Sequence, residues 1–137
     1  MKTWRWINKM TDEKNKIIIA DDSKDQRDLH KYFVPDEFLG FDLEFFEDGT
    51  SLEKRLNGNT DNVRLVITDD KMPGITGSEI IKKYATRLKF REIPFILYYR
   101  GDEEIGKEAV ENGAFGYSLK TGDIENYLRT INRALNR

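Results

Sequence analysis

The 137-residue chain contains no cysteine, a single histidine (His30) and only three prolines. Without thiols there is no disulfide framework, no thiolate nucleophile and no sulfur-ligated metal. One histidine also excludes any metal site built from several imidazoles. No apolar run approaches the roughly 20 residues that cross a bilayer. The opening residues Met1-Lys2-Thr3-Trp4-Arg5-Trp6-Ile7 lack the apolar centre of a secretory signal, so a cytoplasmic location is expected. Lys and Arg number 23 against 25 Asp and Glu, and the two signs are interspersed. No basic stripe marks a nucleic-acid footprint, and neither nucleic acid nor membrane is an expected partner.

What is present is a series of short apolar runs separated by longer amphipathic segments. Ile17-Ile18-Ile19-Ala20 is a β-branched run that stops at Asp21-Asp22 and reads as a buried parallel strand. Ser23 offers a cap to a helix whose apolar face would be Leu29, Tyr32 and Phe33, ending at Pro35. Leu43 to Phe46 is a second strand, followed by a short helix carrying Leu52 and Leu56. Val63 to Thr68 is a third strand ending at Asp69, and Met72-Pro73-Gly74 then forces a loop. Ile80, Ile81, Tyr84, Ala85 and Leu88 mark a third helix, and Phe95 to Tyr99 a fourth strand behind Pro94. Asp102 to Asn112 is a helix stopped by Gly113. Gly116 to Leu119 is a fifth strand, and Ile124, Leu128, Ile131 and Leu135 stripe the last helix.

Strands alternating with helices predict an α/β domain, a parallel five-stranded sheet doubly wound with helices on both faces. The domain is expected over residues 16–137, with residues 1–15 as an extension, either a tail or a short surface helix. Such sheets place their sites beyond the carboxyl ends of the strands. Asp21-Asp22 and Asp69-Asp70 stand at two of those ends and Lys120 at a third. Taken singly, each has an ordinary explanation as a turn, a cap or a solvated lysine. Together they place carboxylates that favour a hard divalent cation beside an ammonium. A carboxylate is a workable nucleophile toward phosphorus, and a metal with a lysine can neutralise the phosphoryl oxygens.

At these residues the sequence resembles the bacterial response-regulator receiver family. Asp21-Asp22 follows the first strand, Asp69-Asp70-Lys71-Met72-Pro73-Gly74 matches the phosphoacceptor loop, and Gly113 to Lys120 matches the segment leading to the family lysine. The resemblance runs from about Lys16 to Leu135 and implies the flavodoxin-like (βα)5 fold with strand order 2-1-3-4-5, an order that the chemotaxis member of the family exemplifies. It implies Asp69 as phosphoacceptor and Lys120 as charge partner of the phosphoryl group. Mg²⁺ would be held by Asp21, Asp22, Asp69 and the Lys71 backbone carbonyl. The implied donors are a sensor histidine kinase or a phosphotransfer protein. The implied output is protein contact or onward phosphate transfer, with the fourth helix, fifth strand and fifth helix as a surface for partners or a homodimer. Tyr117 takes the position of the family's mobile aromatic.

Two positions depart from that pattern. Where the family carries the Thr or Ser whose hydroxyl moves toward the phosphoryl group, this chain has Tyr99, or Tyr98 after a one-residue slip, followed by Arg100. Thr121 stands where the family usually has a proline. The acceptor chemistry therefore reads as intact and the switch, Tyr99 with Tyr117, as atypical. A stand-alone phosphoacceptor with at most slow self-hydrolysis is expected, not a turnover enzyme. The alternative is a phosphorylation-independent binding module on the same fold. A P-loop at Gly101 to Lys107 lacks the following Ser or Thr, and an aspartyl-phosphatase motif would need an acid where Lys71 stands. His30 is expected to be a partly exposed helical residue, and Tyr99 and Tyr117 to lie at or near the surface.

Overall fold

The computed structural model describes residues 15–37, 40–121 and 123–136, and the tryptophan-bearing opening stretch lies outside the described residues. Along the chain come β1 (Asn15–Ala20), α1 (Lys24–Glu37), β2 (Phe41–Phe46), α2 (Gly49–Leu56), β3 (Val63–Thr68) and α3 (Gly77–Tyr84). A 3-10 turn at Leu88–Phe90 leads to β4 (Phe95–Tyr99), α4 (Glu103–Glu111), β5 (Gly116–Leu119) and α5 (Ile124–Leu135). All strand pairs are parallel and the order is β2-β1-β3-β4-β5. The doubly wound, flavodoxin-like sheet expected from the sequence is the one observed.

Successive side chains on a strand point to opposite faces, so each apolar run feeds two cores. Ile18, Ala20, Val66, Phe95, Leu97 and Tyr99 pack under α2, α3 and α4, whereas Ile17, Ile19, Leu65, Ile67, Ile96 and Tyr98 pack under α1 and α5. Burial on both faces is why these strands read as continuous apolar runs rather than alternations.

Several expected faces and ends are corrected. α1 continues through Pro35 to Glu37; Pro35 lies two residues before its end, so the bond that the missing N–H removes falls in the last turn. Its inward residues are His30 and Val34, while Leu29 and Tyr32 are exposed. α3 ends at Tyr84, and Leu88 lies exposed in the 3-10 turn while Phe90 takes the core place expected of it. On α5 the buried line is Tyr127, Thr130, Ile131 and Ala134, and Ile124 is exposed. Thr76 and Glu79 form a capping box at the start of α3, and Asp48 caps α2.

Candidate functional site

The carboxyl ends of β1 and β3 are neighbours in the sheet, with Ala20 beside Thr68. The chain therefore leaves both strands into the same crevice, and the Asp69 N–H donates to the Ala20 carbonyl at 2.8 Å. Asp21, Asp22 and Asp69 each present a carboxylate oxygen within 4.8 Å of the others. Asp21 is buried, Asp69 half-buried and Asp22 exposed. Hard oxygen donors converging in one shallow pocket suit Mg²⁺, which keeps part of its water shell.

Lys120 reaches the same pocket from the end of β5. Its Nζ donates to Asp21 Oδ2 at 2.6 Å and to Asp69 Oδ2 at 3.0 Å, with 6% of its side chain exposed. The family resemblance assigns this lysine to the phosphoryl group on Asp69. The shorter contact to Asp21 is an addition, and it occupies a carboxylate expected to serve a metal. The other Asp21 oxygen accepts the Ser23 N–H at 2.9 Å. The Asp70 N–H donates to Asp69 Oδ1 at 2.7 Å. Burial raises the Asp69 carboxyl above its usual value, the Lys120 ammonium pulls against that shift, and the Asp21 carboxylate adds to it.

The neighbouring loop is fixed by close backbone approach. A Cβ at Gly77 would fall 1.9 Å from the Asp69 carbonyl oxygen, so only glycine lets α3 begin directly against the acceptor residue. Asp70 points away from the pocket and accepts from the Ser78 N–H at 3.0 Å and the Ser78 hydroxyl at 2.6 Å. Lys71 is exposed in the same loop.

Tyr99 is not at the surface. Its ring is fully buried, and its hydroxyl donates to the Asp102 carbonyl at 2.6 Å while accepting the Gly106 N–H at 2.8 Å. Tyr117 is half-buried, its ring centroid 6.4 Å from that of Tyr99. Tyr98 faces the other way and lies under Lys120, whose Nζ is 5.7 Å from the ring centroid. Strand parity alone separates Tyr98 from Tyr99, so this placement was available in the sequence. His30 is 1% exposed, and both ring nitrogens have hydrogen-bond partners. Arg27 was also missed: it donates to the Asp21 carbonyl at 2.8 Å and to Glu47 at 3.0 Å, bracing the acidic turn. Nothing in its sequence context marks that role.

Comparison with known proteins agrees with this geometry. A family profile described as "Response regulator receiver domain" matches residues 17–132. The chemotaxis protein CheY1 of Helicobacter pylori is 32% identical over 114 residues, 82% of this chain and 82% of that protein. The cyclic di-GMP phosphodiesterase response regulator RpfG of Xanthomonas campestris is 28% identical over 120 residues, 87% of this chain, which spans 31% of that longer protein. Among solved structures, a response regulator receiver domain protein of Clostridium thermocellum superimposes with a TM-score of 0.77 at 25% identity, covering 90% of this chain and 95% of that one. The chemotaxis response regulator CheY4 of Vibrio cholerae gives 0.72 at 26% identity, covering 89% and 99%. Receiver domains of this kind are generally Mg²⁺-dependent signalling domains that interact with histidine kinases and phosphotransfer proteins. Among the described residues no helix is long and apolar enough to cross a membrane. The chain belongs to the response regulator receiver domain family of two-component signalling.

Proposed function

We propose that Asp69 accepts a phosphoryl group from a phosphohistidine of a sensor kinase or phosphotransfer protein. A carboxylate oxygen of Asp69 forms the new bond to phosphorus. The phosphorus–nitrogen bond breaks, its electron pair returns to the imidazole, and an aspartyl phosphate is left on this chain. The observation that carries the reading is the Lys120 ammonium bonded to Asp69 inside a three-carboxylate pocket. Lys120 faces the oxygens that gain charge in transfer, and the Asp70 N–H orients the acceptor carboxylate.

Asp21, Asp22 and Asp69 would hold Mg²⁺, with the Lys71 carbonyl as a further ligand by the family likeness. The ion would neutralise the phosphoryl oxygens. Arg27 steadies the turn that presents Asp21. The reading is of a phosphoacceptor and not of a turnover enzyme, and sustained release of p-nitrophenol from p-nitrophenyl phosphate would contradict it. Output is proposed to run through protein contact or onward transfer.

Incubation with acetyl phosphate and Mg²⁺, followed by intact-mass measurement, tests the chemistry. The expected product is an adduct of about 80 Da, absent without Mg²⁺ and absent from Asp69→Ala. No adduct in the wild-type protein, or an undiminished one in Asp69→Ala, overturns the proposal. The second reading, a binding module indifferent to phosphate, draws support from the buried and bridged hydroxyl of Tyr99. It requires partner binding or oligomeric state to be the same with and without the adduct.

A further inference from the structure

A buried column of side chains leads away from the acceptor pocket and takes no part in the transfer described above. It begins where the Lys120 ammonium faces the Tyr98 ring. Tyr98 lies flat on Tyr127, the ring centroids 3.6 Å apart and the planes 3° from parallel. The Tyr127 hydroxyl is 2.6 Å from His30 Nε2, and His30 Nδ1 is 2.7 Å from the Gln26 carbonyl oxygen. A carbonyl oxygen only accepts, so Nδ1 carries the imidazole proton and Nε2 accepts from Tyr127. The three rings come from β4, α5 and α1, and none is more than 9% exposed. Burial lowers the His30 pKa and pushes that of Tyr127 well up, so the column stays uncharged near neutral pH. Its geometry, not its charge, is what a change in the pocket can alter.

On the opposite face of β4 the corresponding path is blocked. The family's short hydroxyl is replaced by the buried Tyr99 phenol, which bridges the Gly106 N–H and the Asp102 carbonyl. Those groups are four residues apart, the spacing that an ordinary helical bond would join. Tyr117 is wedged against the same turn, since a Cβ on Gly106 would fall 2.3 Å from its ring.

We infer that the phosphorylation state of Asp69 is conveyed by Lys120 and Tyr98 to Tyr127 and His30, and so to the α1–α5 layer, while Tyr99 holds α4 still. The inference rests on the phosphoacceptor reading. It adds a two-position element, the Lys120 ammonium. Without phosphate the ammonium is shared between Asp21 and Asp69. A phosphoryl group extends beyond the Asp69 carboxylate, so an ammonium that follows its oxygens leaves Asp21 and shifts across the Tyr98 face. In a close-packed interior the stacked Tyr127 ring moves with Tyr98 and alters the bond to His30.

His30 is the only histidine, so its ring gives a single set of NMR signals in the intact protein. Beryllofluoride with Mg²⁺ serves as the phosphoryl mimic, and the acetyl phosphate adduct is measured on a parallel sample of the same preparation without beryllofluoride, since both bond to Asp69. The His30 ring signals should shift by more than their linewidth, and the α4 amides should move less than those of α1 and α5. The His30 response should be lost in Tyr98→Leu, which removes the ring, and retained in Tyr98→Phe. The His30 ring also stands edge-on to Tyr98, centroids 5.7 Å apart, so Tyr127→Phe, which keeps the stack and removes only the hydroxyl, should diminish the His30 response without abolishing it; an undiminished response there overturns the route through Tyr127 even if Tyr98→Leu does not fold. A silent His30 in wild-type protein that forms the adduct overturns this inference alone. So does a dominant response at Gly106 and Tyr117. Absence of the adduct overturns the phosphoacceptor reading and this inference with it.

Discussion

Tyr99→Phe deletes one oxygen from the protein, and the consequences can be worked out. The phenol donates to the Asp102 carbonyl and accepts from the buried Gly106 N–H. Phenylalanine keeps the ring in its fully buried place but leaves that N–H without its partner. An orphaned buried donor costs about 1–3 kcal/mol. A loss near 2 kcal/mol corresponds to a fall in Tm of roughly 8 °C for a domain of this length. Urea unfolding followed by far-UV circular dichroism should show the midpoint falling with an unchanged slope. Tyr99→Thr should fall further, by about 3–5 kcal/mol, because loss of the ring also opens a cavity. In return it should free the first turn of α4, so that the Gly106 and Tyr117 amides respond to beryllofluoride as they do not in the wild type. A Tyr99→Phe loss below about 0.5 kcal/mol would refute the claim that this hydroxyl pins α4.

Three further outcomes concern the pocket. Lys120→Met removes the cation that competes with a metal for Asp21 and Asp69. Titration calorimetry should show Mg²⁺ binding tightened about tenfold, a fraction of the roughly 4 kcal/mol between unit charges 4 Å apart near a protein surface, while acetyl phosphate labelling falls; unchanged or weaker Mg²⁺ binding would count against the shared ammonium. Asp22→Asn should weaken Mg²⁺ by at least roughly tenfold, the effect that loss of even a supporting contact has at metal sites, with little change in stability because Asp22 is exposed. Asp69 binds its proton more tightly in the folded chain than at the ordinary value of 3.8. Its contribution to stability is therefore full below the unfolded value and lost as pH rises through the folded one. Asp69→Asn has no such loss and should unfold at higher urea than wild type at neutral pH, the difference closing in acid; a lower midpoint at neutral pH would reverse the sign of the reasoning.

The strands and the acid cluster could be read from the sequence because both depend on local chain order. Val63–Thr68, Phe95–Tyr99 and Gly116–Leu119 are bounded by Asn, Pro, Gly and Asp, which punctuate the backbone wherever they occur. Once the strands are parallel, the residues after them share one rim, and the strand order that the family resemblance implied brings Asp21, Asp69 and Lys120 together on it. The faces of α1 and α5 were less legible. His30 counts as polar, yet a carbonyl and a phenol satisfy its two nitrogens, so it can replace an apolar residue in the core. Leu29 and Tyr32, apolar by composition, were left outside. Such choices are made by partners distant in sequence, here Tyr127 on α5, and helical periodicity carries no trace of them.

The second half of β4 shows how one large buried side chain constrains its neighbours. A phenol at position 99 fills the space under the first turn of α4, and the Tyr117 ring lies against Gly106. Glycine at an interior helical position costs about 1 kcal/mol relative to alanine, so its presence in α4 calls for a steric reason. The contact with the Tyr117 ring supplies it. Gly106→Ala should therefore destabilise the wild type, since overpacking costs about 1–3 kcal/mol and outweighs the helical gain. In a Tyr117→Ala background the ring is gone, and the same substitution should stabilise by about 1 kcal/mol. A double-mutant cycle by urea unfolding measures the difference directly. Equal effects of Gly106→Ala in the two backgrounds would mean that Tyr117 does not press on α4, and that Gly106 answers to some other neighbour.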